Sequence, residues 1–163
     1  MPNFTYIVMK YLLLPKHFRT AGWFLLIPGL LAGFSNYIFN TEPEFLNVTM
    51  FAIANAGFYQ TTYFTLIETN IWQELISLMI IMGGIFIGFS RTDIEDEYIQ
   101  KIRLEALTWA VYVNYLILIL AIIFLYGFTF TDVLVFNMFT ILLIFVARFE
   151  WVLVNLNRET DNE

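Results

Sequence analysis

Hydrophobic positions fall into four long runs, Ala21 to Phe39, Ile71 to Phe89, Ala106 to Gly127 and Val133 to Trp151. Each has the length and apolar purity of a helix that crosses a ~30 Å hydrocarbon core. The pattern predicts an all-α fold, an integral membrane four-helix bundle forming a single transmembrane domain over 1–163, with an external loop 40–70 and a cytoplasmic segment 90–105. The run Phe4 to Leu14 is too short to cross and is closed by Pro15. It reads as an N-terminal interfacial helix on the inner leaflet, with Lys10 reaching toward the headgroups. Its charges follow rather than precede it and no small-residue cleavage site ends it, so the N-terminus is expected to be retained.

Between the first two runs the pattern changes. Alternation in Asn47-Val48-Thr49-Met50-Phe51 suggests a short strand with a turn at Asn55-Ala56-Gly57, and a membrane-hugging amphipathic helix is the alternative. In either form so many apolar residues predict a cap over the bundle mouth. From Thr92 to Tyr126 there is neither Gly nor Pro, which predicts one helix of roughly 50 Å that outruns the bilayer and extends the third span into the cytoplasm. Thr92-Asp93-Ile94-Glu95 has the form of a capping box, and Glu97 with Lys101 makes a favourable i,i+4 pair. Ile94, Tyr98 and Ile102, joined by Ile99, form a narrow apolar stripe on that extension, which calls for the chain's own N-terminal segment or a partner.

Composition and charge then orient the bundle. The chain is 60% hydrophobic and 13% charged, so water is not its main solvent. Lys10, Lys16 and Arg19 precede the first run, Arg91, Lys101 and Arg103 separate the second from the third, and Arg148 and Arg158 mark the end of the fourth. Segments 40–70 and 128–132 hold no basic residue, so both termini are expected in the cytoplasm. With a net charge of -6 and no basic patch, nucleic acid is discarded as a partner, and the lack of cysteine removes disulfides and thiolate chemistry.

Candidate chemistry is sparse. Asp93, Glu95, Asp96 and Glu97 could attract a hard cation, but acidic residues suit a first helical turn and these would point in several directions, so no metal site is expected. His17 stands alone beside Lys16 and Arg19 and is read as an interfacial residue rather than a haem ligand. The polar residues at membrane depth are Glu74, Asn114, Asn137 and Arg148 with Glu150. Glu74 and Arg148 can reach the interfaces, whereas Asn114 and Asn137 suit interhelical hydrogen bonds better than a transport path. Gly29 with Gly33 and Gly84 with Gly88 form small-xxx-small patterns, which pack either on each other or across a homodimer, and Pro28 should kink the first helix or leave a carbonyl for a neighbour to satisfy. No catalytic or cofactor-binding residue is expected. Asn47-Val48-Thr49 matches a glycosylation sequon that matters only in a eukaryotic secretory pathway.

Glu95-Asp96-Glu97-Tyr98-Ile99 through Arg103, Leu107-Thr108-Trp109-Ala110-Val111-Tyr112-Val113-Asn114-Tyr115, Ile27-Pro28-Gly29 and Asn137-Met138-Phe139-Thr140 carry a resemblance. Over most of its length the chain resembles a group of small four-span inner-membrane proteins of Bacteroidota. Through the acidic Asp96-Glu97 pair and the downstream Ile102-Arg103 ahead of a membrane helix, the chain more loosely resembles other small bacterial membrane proteins, some of them encoded beside small helix-turn-helix regulators. The resemblance implies a bacterial inner membrane and a signalling role, and brings no enzyme activity or ligand. The expectation is a non-enzymatic accessory subunit or regulatory partner that works by association with a protein partner or as a homo-oligomer. The rival is an oligomeric channel or small-solute transporter lined by Glu74, Asn114 and Asn137.

Overall fold

The computed structural model describes residues 13–40, 42–56, 61–92 and 95–160. Helices α1 (His17–Phe39), α2 (Trp72–Gly88), α3 (Glu97–Phe124) and α4 (Phe128–Thr160) make up most of them. A 3-10 turn (Glu44–Leu46) and two antiparallel strands, β1 (Asn47–Ala56) and β2 (Thr61–Asn70), fill the connection between α1 and α2. The interfacial helix expected over Phe4 to Leu14 lies almost wholly outside the described residues.

The hairpin corrects the all-α expectation. Val48, Thr49, Phe51 and Ile53 in one strand and Thr62, Tyr63, Phe64 and Ile67 in the other are the β-branched and aromatic types that suit a pleated surface. Val48 pairs with Thr69, Phe51 with Leu66 and Ala56 with Thr61, so strand runs through Asn55 and Ala56 where a turn was expected. Phe64, at φ 53°, interrupts the ladder opposite Ile53. The hairpin is held at its root, where Asn70 Nδ2 donates to Pro43 O and to Asn47 Oδ1, both at 2.9 Å, and Ile71 N–H donates to Leu46 O at 3.2 Å. Beyond that root the strands make little contact with the helices and leave both faces largely exposed, so they do not cap the bundle.

Three helices, α1, α3 and α4, are long and apolar enough to cross a membrane. At 17 residues, α2 reaches only about 26 Å, but it runs antiparallel beside α1. A Cβ on Gly83 would lie 2.6 Å from Leu26 N, and one on Gly22 would lie 2.8 Å from Gly83 O, so these two glycines set the closest backbone approach in the bundle. Gly29 and Gly33 sit against Ile80 and Ile76 of α2, and α1 continues as one helix through Pro28. Gly84 and Gly88 do not face the α1 glycines: they make room for Leu142 and Phe145 of α4. One residue turns a helix by about 100°, so Gly83 serves one neighbour and Gly84 the other. The helices therefore pack in the order α1, α2, α4, α3.

The third helix begins later than the capping-box pattern predicts. Its N-cap is Asp96, whose carboxylate accepts the Ile99 N–H at 2.9 Å, and its 28 residues end at Phe124. The three-residue turn 125–127 uses a positive φ at Gly127, and α4 then runs for 33 residues, well past both ends of the expected 133–151 span. The projecting end of α3 is consequently not alone. Ile99 and Ile102 belong to the same apolar cluster as Leu153 and Leu156 of α4, and the cluster continues through Phe149, Phe145, Ile87, Ala106 and Ala110.

Candidate functional site

Charged and polar side chains gather at the end of the bundle where α1 starts and α2 stops. The link 89–92 runs extended beside Leu14: Leu14 N–H donates to Phe89 O and Arg91 N–H to Leu14 O, both at 2.9 Å. Ser90 is fully buried in this link, and its hydroxyl donates back to Phe86 O. Arg103, on the first turns of α3, reaches across to tie the link down. Its Nη1 donates to Glu95 Oε1 at 2.8 Å and its Nη2 to Ser90 O at 3.1 Å, while the guanidinium lies 4.9 Å from the centre of the Phe149 ring. Glu95 also accepts from the Thr92 N–H and hydroxyl, each at 3.0 Å. The reach-back of a capping box is therefore present, but it closes a loop ahead of the helix instead of starting one.

This ion pair is buried, with side-chain exposures of 6% for Arg103 and 9% for Glu95. Burial would raise the Glu95 pKa, yet the hydrogen bonds from Arg103 and Thr92 and the Arg103 charge outweigh it and hold the carboxyl below its ordinary 4.5. A buried, fully bonded carboxylate that stays ionised is a poor general acid or base and a good structural clamp.

Two further polar contacts lie at the same level. Arg19 Nη2 donates to both carboxylate oxygens of Glu150 at 2.8 Å, pinning the first turn of α1 to α4. Arg148 lies 5.2 Å from the Trp109 ring and 5.5 Å from the Trp151 ring. Deeper in the bundle, Asn137 Nδ2 donates to Asn114 Oδ1 at 2.9 Å, with a longer reciprocal bond of 3.5 Å, and Asn114 is 1% exposed. Each amide meets part of the other's hydrogen-bonding capacity between the two helices.

Of the apolar stripe, Ile94 lies outside the described residues, Tyr98 is 57% exposed and Ile102 is buried against α4. One face thus splits between core and solvent, because α4 extends as far as α3 does. Glu74 is exposed on the first turn of α2, whereas Asn114 and Asn137 bond to each other between α3 and α4. The acidic run is likewise dispersed: Glu95 holds Arg103, Asp96 caps α3, Glu97 is exposed and Asp93 lies outside the described residues. His17 opens α1, exposed, with its ring 4.9 Å from that of Phe18.

Sequence reasoning overlooked Arg103 as a buried residue, and Gly22 with Gly83 as the tightest contact. A signal for the first existed: Arg103, Ala106, Ala110 and Asn114 follow one helical face at three- and four-residue spacing, and all are buried. No known protein family, curated protein or solved structure matches the chain, so functional inference rests on its own geometry.

Proposed function

We propose that the protein is a multi-pass membrane protein that works by association, as an accessory or regulatory subunit with no catalytic step of its own. The observation that carries this reading is the hairpin. β1 spans ten residues with neither charge nor proline, and Phe51, Ile53, Phe64 and Leu66 all stand exposed. Soluble proteins blunt such edges with lysine, proline or short strands, and a strand left open is a template for pairing with another chain. The stripe on α3 contributes less, since α4 covers Ile102. Asn114 and Asn137 are engaged with each other, which favours association over a transport path through this bundle.

In this reading all four helices cross, the termini are cytoplasmic and the hairpin is external. Lys16, Arg19, Arg91, Arg103, Arg148 and Arg158 cluster at the opposite end from the hairpin, in keeping with that orientation. A bacterial inner membrane is the location that the Bacteroidota resemblance implies. The test is native gel migration of membranes carrying wild type or the double variant Phe51→Glu, Leu66→Glu. Both side chains are exposed, so the fold should tolerate the change while a complex dissociates. A complex that survives both substitutions, or a wild type that migrates only as a monomer, would overturn the reading.

A further inference from the structure

We infer that Arg148, where α3 and α4 meet beside Trp109 and Trp151, binds the phosphodiester of an anionic phospholipid headgroup. Among the described residues, Arg148 has neither an ion-pair nor a hydrogen-bond partner, and its contacts are the faces of Trp109 and Trp151. The nearby carboxylate, Glu150, is already taken by Arg19. An arginine stays charged at any physiological pH and presents five N–H donors, so a guanidinium without an acceptor is an open anion site. The two indole rings, 5.2 and 5.5 Å from the guanidinium carbon, engage its charge through their π faces and take up none of its N–H donors, which remain available for bidentate contact with a phosphate.

Depth identifies the anion as a lipid headgroup. The Arg19–Glu150 pair places the α4 segment around Arg148 level with the first turn of α1, where the membrane-crossing run of that helix begins. Trp109 and Trp151 are 54% and 58% exposed, on the outside of the bundle rather than within it. Exposed indoles flanking a cation at the end of apolar spans are placed for the boundary between acyl chains and headgroups. This inference rests on the membrane placement alone and holds whichever leaflet this end faces.

Native mass spectrometry of the detergent-purified protein, titrated with phosphatidylglycerol, phosphatidylcholine or inorganic phosphate, tests it. Wild type should bind phosphatidylglycerol more tightly than phosphatidylcholine, whose choline competes with the arginine, and millimolar phosphate should not displace the lipid. Arg148→Gln should weaken phosphatidylglycerol binding roughly tenfold to a hundredfold, the loss expected for a charge-assisted bidentate contact. Arg158→Gln, on the same helix, should change it less than about twofold. If Arg148→Gln is poorly folded, Trp109→Leu with Trp151→Leu removes the exposed indoles and should weaken binding severalfold. Undiminished binding in these variants, or an equal loss in Arg158→Gln, overturns the site. Displacement by inorganic phosphate overturns the lipid assignment. Protein released from membranes by alkaline carbonate would refute the membrane placement itself, whereas an embedded protein indifferent to Arg148→Gln refutes the site alone.

Discussion

Replacing Glu95 by alanine should unfold the bundle more readily than any other single carboxylate change. The side chain accepts from Arg103 Nη1 and Nη2 at 2.8 and 3.3 Å and from the Thr92 amide and hydroxyl at 3.0 Å. Without it, a guanidinium that is almost wholly buried keeps only Ser90 O and the Phe149 ring, and its Nε already lacks an acceptor. Breaking one partner of a buried pair costs about 3–5 kcal/mol, most of it the stranded charge. Arg103→Met alone should cost about 2–3 kcal/mol, because Glu95 keeps the two donors of Thr92. The double variant strands no charge and fills the space beside Phe149 with an apolar side chain, so it should recover most of the loss. Unfolding in mixed micelles of rising SDS fraction, followed by far-ultraviolet circular dichroism, would provide the cycle. Single and double losses that simply add within about 0.5 kcal/mol would refute the clamp.

The same carboxylate predicts a pH dependence. Its folded pKa lies below the ordinary 4.5, so the unfolded chain binds more protons in that window. The clamp's contribution is complete above about pH 4.5 and is lost as pH falls through the folded value; Glu95→Gln should flatten the acid limb of a melting-temperature profile. Gly83→Val should cost at least about 1–3 kcal/mol, since its Cβ would meet the α1 backbone at Leu26 N, and separation of α1 from α2 should appear as loss of a disulfide engineered across them. Asn114→Leu should cost about 0.6–1.7 kcal/mol in SDS unfolding by stranding Asn137, and adding Asn137→Leu should restore part of it; an additive loss would show that the amides act separately.

Much of this architecture is legible in the one-dimensional pattern. Four apolar runs identify the four helices, three of them long and apolar enough to cross a membrane. The asparagines were recognisable as interhelical hydrogen-bonding residues because an apolar surround leaves an amide few other acceptors, but only the structure pairs Asn114 with Asn137. The strand alternation of β1 was visible beside its helical alternative, but only the partner strand decides between them, through the register that sets Phe51 opposite Leu66.

Tertiary structure decided the rest. Thr92-Asp93-Ile94-Glu95 carries the local signal of a helix start, yet Arg103, eight residues beyond Glu95, recruits that carboxylate and the helix begins at Asp96. Which glycine meets which helix depends on the order α1, α2, α4, α3, and no spacing rule within one run contains that order. The stripe that looked available on α3 is only partly covered: α4 runs on to Thr160 and buries Ile102 at that end, while Tyr98 stays exposed. Sequence alone determined which segments are apolar enough to form long hydrophobic helices, since that follows from each residue's own transfer energy. Only the fold determined which of them meet, since packing depends on pairs of residues far apart in the chain.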